Sequence, residues 1–325
     1  MKGAILVTGA SGFIGRRLSA RLLKDGARLR CLLRPGSPVP PGLSGAEVVR
    51  GDLLDRESLK PAFAGIRAVF HCAALVRPRG LAARRAGLEK AFFSVNSDGA
   101  YSAAAAAAAA GAEVFVHLGS IAAQGPGLAL REDSPCAPLT VYGRSKLASE
   151  DAVRAGIAAS RCRLVTARLA MIYGKDSPSW GLFFSALRRG LLPLPGRGSN
   201  RLSVCWAESL ADALLLLAGR GADGRTYTVS EGSSSWSELA AYSAAAIGKK
   251  PLILKVPHWP LGLVSRACEA AGRAAGLAFP ACNYIAENGA FEEAFSDWEH
   301  DVSELRALGW SPRLSTPEAL AAELR

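Results

Sequence analysis

Two polar side chains have the types and the spacing that acid–base chemistry requires. Tyr142 and Lys146 lie in a stretch that predicts a helix beginning near Val141, so both project from one helix face. A phenol titrates at about pH 10, and a neighbouring ammonium lowers its pKa by favouring the phenolate. Such a tyrosine can pass a proton to or from a carbonyl oxygen while a hydride moves at the carbon.

Two further polar residues could complete this arrangement. Ser120 follows the strand predicted at 114–118 and could hydrogen-bond the same carbonyl oxygen. Asn96, in the preceding predicted helix, could anchor a water molecule or the backbone beside the lysine. A tyrosine and a lysine at this spacing are common by chance, so their meaning depends on the elements that position them.

The first of these elements is an apolar strand at 4–7, which meets a glycine-rich turn. Gly9 allows the tight turn, Gly12 lets the backbone approach a pyrophosphate, and Gly15 lets the following helix pack closely on the strand. The N–H groups and the dipole at the start of that helix would hold phosphates. A strand before the turn and a helix after it indicate a dinucleotide-binding site.

Strands and helices then alternate along the chain. Strands are predicted at 29–33, 47–50, 68–74, 114–118 and 164–169, with helices between them. This alternation predicts an α/β fold, with a Rossmann-like, doubly wound parallel sheet. The pattern breaks after Gly174. We therefore expect a dinucleotide-binding domain at 1–174, to which parts of about 202–230 add, and a smaller, mainly substrate-binding lobe at 175–325.

The ends of the second, third and fourth predicted strands bear on the cofactor. Arg34 stands where this fold meets the adenosine ribose, and a cation there suits a 2′-phosphate. Arg34 therefore favours NADP(H), with NAD as the alternative; it could also be a solvated loop residue. Asp52 follows the third strand, and the small residues Ala73 and Ala74 end the fourth, where a cofactor could lie against the backbone.

Composition narrows the classes of partner. The chain has 325 residues, 50% of them hydrophobic, and a net charge of +11 that is spread over its whole length without aromatic interleaving. This favours a basic surface that attracts an anionic cofactor or substrate, and not a nucleic-acid-binding protein. No membrane span is expected, because no window approaches about 18 uninterrupted apolar residues.

The seven cysteines are scattered without a C-x-x-C pair, so neither a metal site nor a disulfide framework is predicted. No signal-peptide pattern precedes the first strand, and the cytoplasm is the expected compartment. The predicted helix at 259–277 could lie on a membrane surface, but its arginines and Glu269 fit an ordinary solvated face as well.

Several arginines bear on the substrate. Arg77 and Arg79 lie in the loop after the fourth strand, and Arg201 lies in the second lobe. If they converge on the crevice, their guanidinium groups could bind a carboxylate or phosphate of an anionic small-molecule substrate. They could equally be solvated loop charges, which is the favoured interpretation for Arg84 and Arg85.

Taken together, these motifs resemble the extended short-chain dehydrogenase/reductase family, the group of NAD-dependent epimerases and dehydratases. The matching stretches are Thr8–Gly15, Gly51–Leu53, His71–Ala74, Asn96 with Gly99, Ser120, Tyr142–Lys146, Arg168–Gly174, Asp212 and Leu308–Pro312. The resemblance implies a catalytic triad of Ser120, Tyr142 and Lys146 with Asn96 in support. The residues expected to contact the cofactor are Gly9, Ser11, Gly12, Phe13, Ile14, Gly15, Arg34, Asp52, Leu53, Ala73, Ala74, Tyr142 and Lys146. Those expected to contact the substrate are Arg77, Arg79, Ser120 and Arg201, and a homodimer is an open alternative to a monomer.

Departures from the family pattern bear on the activity. Gly119 stands where many members place a second serine, and Ala122 lacks a hydroxyl that sugar-nucleotide epimerases often carry. Arg34 sits as in the flavonol- and steroid-type reductases of the family. The leading hypothesis is an NADP(H)-preferring oxidoreductase acting on a secondary alcohol or ketone. The alternatives are a nucleotide-sugar epimerase or dehydratase with tightly bound NAD, and a non-catalytic dinucleotide sensor.

Overall fold

The computed structural model describes residues 3–76, 83–275, 277–278 and 288–325. In chain order the strands are β1 (Ala4–Thr8), β2 (Leu29–Leu33), β3 (Glu47–Arg50), β4 (Ile66–His71), β5 (Ala83–Arg84), β6 (Val114–Ser120), β7 (Gly127–Leu130), β8 (Arg163–Leu169), β9 (Met171–Tyr173), β10 (Leu191–Pro195), β11 (Arg201–Trp206), β12 (Thr226–Val229), β13 (Gly232–Ser235), β14 (Leu252–Val256), β15 (Leu277–Ala278) and β16 (Trp298–His300). The helices are α1 (Phe13–Lys24), α2 (Arg56–Phe63), α3 (Arg85–Phe93), α4 (Gly99–Ala109), α5 (Val141–Ile157), α6 (Gly181–Arg189), α7 (Ala207–Arg220), α8 (Trp236–Ala246), α9 (His258–Ala275), α10 (Asn288–Phe295), α11 (Ser303–Ala307) and α12 (Thr316–Leu324). A π-turn at Ser94–Asp98 joins α3 to α4, and a 3₁₀ turn at Ile121–Ala123 follows β6.

Seven parallel strands form the large sheet, in the order β12–β8–β6–β4–β1–β2–β3. The chain builds outward from β1 in one direction through β2 and β3, and then in the other through β4, β6 and β8. The strand order therefore reverses beside β1, which in such sheets is where ligands bind. This topology confirms the predicted Rossmann-like, doubly wound fold.

Helices cover both faces of the large sheet, which explains why its strands are nearly continuous apolar runs. On one face, Ile5 and Val7 of β1 pack with Leu18 of α1 and Leu214 of α7. On the other face the alanine run of α4 lies against the sheet. Alanine favours helix and, because it is small, lets α4 approach the strands closely.

The remaining strands lie mostly in a second, small sheet, in which β11 pairs with β9, β13 and β16, and β16 pairs with β7. Its core includes the aromatic residues Tyr173, Trp180 and Trp298. Strands β10 and β14 form a separate two-stranded parallel ribbon. The chain moves between the sheets more than once, since β11 belongs to the small sheet and β12 returns to the edge of the large one.

Candidate active site

The turn after β1 is pressed onto the end of β4. Gly9 has a φ of +67°, and a Cβ built there would lie 2.6 Å from the backbone nitrogen of Ala73. A Cβ on Gly15 would lie 2.2 Å from the carbonyl oxygen of Gly9. No side chain fits at either position without moving backbone, so these glycines bring the start of α1 against the carboxyl ends of β1 and β4.

The N-terminus of α1 is open to an anion. Gly12 is its N-cap residue and supplies no side-chain cap, and the first turn holds no acidic residue. By contrast, Asp55, Thr140 and Ser235 cap α2, α5 and α8 with their side chains. The N–H groups at the start of α1 can therefore bind a phosphate. Ser11 and Gly12 are exposed beside them and Phe13 and Ile14 are partly buried, so this turn fits the pyrophosphate of a dinucleotide.

A cleft of about 530 Å³ lies at the residues predicted to meet the adenosine ribose. It is lined by 34–38 and Asp52, and the Arg34 side chain is exposed. Arg50, at the end of β3, donates from its guanidinium to the carbonyl oxygens of Arg34 and Ser37 and so fixes the loop. Sequence reasoning missed Arg50, although its place at the carboxyl end of the strand beside β2 was a signal.

The residues after β3 form a compact turn at the same edge. The Asp52 carboxylate accepts from the backbone N–H of Leu54 at 3.0 Å, and the Asp52 N–H donates to the Ser58 hydroxyl at 2.9 Å. Leu53 lies against the start of α4. A Cβ built on Gly99 would lie 3.1 Å from the Cβ of Leu53. The structure thus places Asp52 and Leu53 between the Arg34 loop and the π-turn.

His71, at the end of β4, is a buried core residue. Its Nδ1 lies 2.9 Å from the hydroxyl of Thr8, and the Ala73 N–H donates to that hydroxyl at 3.4 Å. Burial, reinforced by the nearby charge of Lys146, lowers the pKa of His71 to about 3. The imidazole is therefore neutral at physiological pH and holds the strand end on which Ala73 and Ala74 lie.

Tyr142 and Lys146 occupy the first two turns of α5, which begins at the predicted residue. Thr140 caps this helix by accepting from the Gly143 N–H at 3.1 Å. The Lys146 ammonium is buried and donates to the Leu118 carbonyl oxygen at 2.6 Å. Burial lowers the pKa of Lys146 to about 8, although the charge of Glu150 opposes the shift. Tyr142 is partly buried, with its ring 6.3 Å from that of Phe92.

Asn96 ties the neighbouring loop to this helix. It lies in the π-turn and is 2% exposed. Its Oδ1 accepts from the Leu75 N–H at 2.6 Å, and its Nδ2 donates to the Leu75 carbonyl at 3.0 Å and to the Ser145 hydroxyl at 2.9 Å. Isolated π-turns are frequent at functional sites, and here the turn aims the Asn96 amide at α5. The backbone-anchoring role considered for Asn96 from the sequence matches these contacts.

Ser120 ends β6 beside the same helix. Its hydroxyl is partly buried and accepts from the Ala122 N–H at 3.2 Å, which caps the 3₁₀ turn. Gly119, just before it, is crowded: a Cβ there would lie 3.1 Å from Oε1 of Glu150. A glycine at this position leaves room for the Glu150 carboxylate.

That carboxylate belongs to a buried ion pair that the sequence did not reveal. Arg168 of β8 donates to both oxygens of Glu150, each at 2.9 Å, and neither side chain is more than 5% exposed. Glu150 lies one helical turn beyond Lys146, so the pair fixes α5 against the large sheet below the catalytic candidates.

The arginines considered for an anionic substrate do not come together in the described residues. Arg201 donates to the Ser233 hydroxyl at 2.6 Å and pairs with Glu299 at 3.3 Å, so its guanidinium is engaged within the small sheet. Arg77 and Arg79 lie outside the described residues. The described contacts therefore give no support to an anion site that includes Arg201.

Asp212, one of the family-like positions, links three parts of the chain. Its carboxylate accepts from Arg21 of α1 and from Arg313, in the segment before α12. Burial opposes ionisation, but the hydrogen bonds from Arg313 and Arg21 prevail and lower the pKa of Asp212. This residue therefore fastens α7 to α1 and does not belong to the catalytic cluster.

Within the described part of the chain, no group of three or more His, Cys, Asp or Glu residues could hold a metal ion. None of the helices described is both long enough and apolar enough to cross a membrane.

Comparison with known proteins agrees with this geometry. The NAD dependent epimerase/dehydratase family matches residues 5–230. The ceramide reductase of Caulobacter vibrioides is 34% identical over 261 residues, which are 79% of this chain and 74% of that protein. The 3 beta-hydroxysteroid dehydrogenase/Delta 5-->4-isomerase of Mycobacterium tuberculosis is 26% identical over 98% of this chain and 88% of its own.

Among solved structures, the dTDP-glucose 4,6-dehydratase of Streptomyces venezuelae, with NAD bound, superposes with a TM-score of 0.75. The match covers 99% of this chain and 97% of that one at 22% identity, which shows a shared fold. Together with the match to the family over residues 5–230, these similarities show that the chain is an enzyme of the extended short-chain dehydrogenase/reductase type, with a nicotinamide dinucleotide cofactor. It belongs to the NAD-dependent epimerase/dehydratase family.

Proposed function

We propose that this enzyme transfers a hydride between nicotinamide, preferably NADP(H), and the secondary alcohol or ketone carbon of an apolar substrate, with Tyr142 as acid and base. The observation that carries the proposal is the buried ammonium of Lys146, one helical turn from Tyr142 and held by the Leu118 carbonyl oxygen at 2.6 Å. A fixed positive charge beside a phenol is what makes proton transfer by tyrosine effective near neutral pH.

Each residue of the candidate site has a separate role in this proposal. A bound nicotinamide would supply or accept the hydride. The Ser120 hydroxyl hydrogen-bonds the substrate oxygen, and the Tyr142 hydroxyl gives that oxygen a proton in reduction or takes one in oxidation. The charge of Lys146 favours the phenolate. Asn96 has no direct role in hydride or proton transfer in this proposal. It holds the Leu75 backbone and Ser145 in place.

The preference for NADP(H) rests on the cleft that Arg34 lines together with Asp52. Arg50 holds the Arg34 carbonyl, so the loop is fixed while the exposed Arg34 side chain is open to a 2′-phosphate. A guanidinium binds phosphate oxygens through charge-assisted, often bidentate hydrogen bonds. NAD remains the alternative cofactor.

The apolar substrate class rests on the surroundings of Tyr142 and on the sequence relatives. The buried Phe92 presents its ring to the catalytic phenol. Two relatives are named for a ceramide and for a 3 beta-hydroxysteroid, which are both lipids. The nucleotide sugar named for the dehydratase belongs to a structure that shares only the fold. Ala122, which lacks a hydroxyl that sugar-nucleotide epimerases often carry, also favours the lipid class.

A substrate panel tests this proposal. Purified enzyme is incubated with a 3-ketosteroid, a long-chain ketone, an acidic ketone or a nucleotide sugar, and consumption of NADPH and NADH is followed by absorbance. We expect the apolar ketones to react fastest with NADPH. We also expect Tyr142→Phe to lower kcat by at least about 10²-fold with cofactor affinity unchanged. The matched control is Tyr101→Phe, on α4, which should keep the wild-type rate.

Two results would overturn the proposal. One is isomerisation or dehydration of a nucleotide sugar without net consumption of NADPH, by a protein that is purified with NAD already bound. The other is full ketone reduction by Tyr142→Phe.

A further inference from the structure

Helix α9 presents three large apolar side chains to solvent. Trp259 is 70% exposed, Leu263 is 63% exposed and Val264 is 50% exposed. The inward side of the same helix carries small residues, since Gly262 and Ser265 are buried. An amphipathic helix of a globular protein normally has the reverse arrangement, with its large apolar residues facing the core.

The ribbon that precedes α9 shows the same feature. Parallel pairing aligns Leu191 with Leu252 and Pro193 with Leu254, so these four side chains share one face of the ribbon. That face is open: Leu252 is 63% exposed and Leu254 is 45% exposed. The opposite face carries the buried Leu192 of the core. Only Pro257 separates β14 from α9, so the open ribbon face and the open helix face are neighbours along the chain.

We call these two surfaces, defined by Leu191, Pro193, Leu252, Leu254, Trp259, Leu263 and Val264, the apolar face. Large exposed apolar surfaces normally mark a site of interaction with a protein or a membrane. The contacts of α9 with the rest of the protein hold it in this orientation. The His258 ring packs on Phe291 of α10 at 4.9 Å and lies 3.2 Å from the Glu292 carboxylate.

The charges around the apolar face are mostly basic. Residues 181–195 and 247–275 contain seven basic residues and a single acidic one, Glu269. Lys249 donates to the Arg188 carbonyl at 2.7 Å, which ties the start of the ribbon to the end of α6. In the described part of the chain, Lys250 and Arg266 form no ion pair. Arg266 lies on the exposed stripe of α9, seven residues after Trp259.

We propose that the apolar face docks on the surface of a bilayer that contains anionic lipid, with α9 lying in the plane of the interface. Apolar residues beside a tryptophan and an excess of lysine and arginine are what such surfaces bind. A second copy of this chain is disfavoured as the occupant, because a two-fold contact would bring the same basic residues face to face. The inference is independent of the catalytic role proposed for Tyr142. If both proposals hold, the enzyme would bind a lipid substrate at the membrane surface.

Sedimentation with vesicles tests the proposal directly. The full chain is mixed with large vesicles of phosphatidylcholine alone or with about one third phosphatidylglycerol, and the bound fraction is measured. We expect binding to the anionic vesicles, and a loss of at least about tenfold in partitioning for the double change Trp259→Ser with Leu263→Ser. The matched control is Val39→Ser with Leu128→Ser, two exposed apolar residues elsewhere, which should bind as the wild type does.

A second set of variants tests the contribution of the basic residues to vesicle binding. Lys250→Glu with Arg266→Glu should lower binding to the anionic vesicles at least about tenfold, because each cation loses its attraction to the surface. Lys24→Glu with Arg28→Glu, exposed on α1 and just after it, is the control of equal charge change. Thermal unfolding of every variant checks that the fold is retained, which we expect because all the changed residues are exposed.

Three outcomes would overturn the proposal. They are no binding of the wild type, binding that Trp259→Ser with Leu263→Ser leaves unchanged, and a stable dimer in light scattering that this change dissociates. The last would assign the apolar face to a second copy. Because sedimentation requires no substrate, a protein that binds vesicles but reduces no apolar ketone would contradict only the proposed function.

Discussion

Asn96 donates its amide N–H to the hydroxyl of Ser145 at 2.9 Å, which joins the π-turn to the residue before Lys146. The same amide holds both backbone groups of Leu75. One side chain thus fixes the loop after β4 and the catalytic helix relative to each other. Asn96 and Ser145 are 49 positions apart in the sequence.

Replacing Asn96 with alanine should therefore lower both stability and rate. Loss of the two hydrogen bonds to Leu75 should reduce the free energy of unfolding by about 1–3 kcal/mol. The resulting displacement of the loop should lower kcat by up to about 10²-fold. Ser145→Ala is the matched control, because it removes the link to α5 and keeps the link to Leu75, and we expect it to lose less of both quantities. Denaturant titration and steady-state kinetics check this, and equal losses in the two variants would contradict it.

Ketone reduction should decline on the alkaline side with an apparent pKa near 8, because burial lowers the pKa of Lys146 to about 8. The free energy of unfolding should instead increase with pH over this range. Between about pH 8 and the ordinary value of 10.5 the unfolded chain binds a proton that the folded protein has lost, so this lysine makes folding more favourable as pH rises. A pH–rate profile and urea titrations across this range measure both trends. Lys146→Arg, which stays charged, should retain some activity and lose the alkaline decline; a decline near pH 8 that persists in this variant would assign it to another group.

Arg34→Asp should reverse the cofactor preference. The wild type should bind NADPH at least about tenfold more tightly than NADH, and the aspartate should favour NADH because it repels the 2′-phosphate and accepts from a ribose hydroxyl. Arg50→Gln is the informative comparison. Arg50 contacts only the loop backbone in the described structure, so its loss should weaken both cofactors by similar factors. Calorimetric titration decides the matter, and equal wild-type affinities would exclude Arg34 as a phosphate ligand.

Removing either partner of the buried pair of Glu150 and Arg168 should lower the free energy of unfolding. Glu150→Gln leaves the guanidinium of Arg168 without its carboxylate, and we expect a loss of about 3–5 kcal/mol in the free energy of unfolding. The exposed pair of Arg154 and Asp151, also on α5, is the control, and Asp151→Asn should cost less than about 1 kcal/mol. Denaturation curves of both variants measure the difference. Similar small losses would show that solvent reaches the Glu150 pair.

The local signals that predicted the fold are those that need no partner. Strands at 29–33 and 47–50 have the observed bounds, because an apolar run between turn residues specifies a buried strand by itself. Helix capping is also a local effect, since the Asp55 and Ser235 side chains accept from backbone N–H groups in the first turns of α2 and α8. The return of β12 to the edge of the large sheet was indicated only approximately, as it depends on pairing with β8 some 60 residues earlier.

The site was predictable in its types of residue but not in its long-range contacts. The tyrosine and lysine spacing, the glycine turn and Asn96 could be found, because each signal lies within a few residues. The ion pair of Glu150 with Arg168 could not, because opposite charges have no spacing rule across a sheet. Arg201 shows the converse: an arginine at a promising position was already engaged by Glu299 and Ser233, which nothing near it in the sequence announces.

Three of the connections between the large and small sheets lie close together: β8–β9, β11–β12 through α7, and β12–β13. The Ala170 N–H donates to the Val229 carbonyl at 3.1 Å, and the Glu231 N–H donates to the Val204 carbonyl at 2.9 Å. These hydrogen bonds join neighbouring crossings to one another. Because the chain crosses between the two sheets several times, a single proteolytic cut would leave the sheets joined by the remaining crossings.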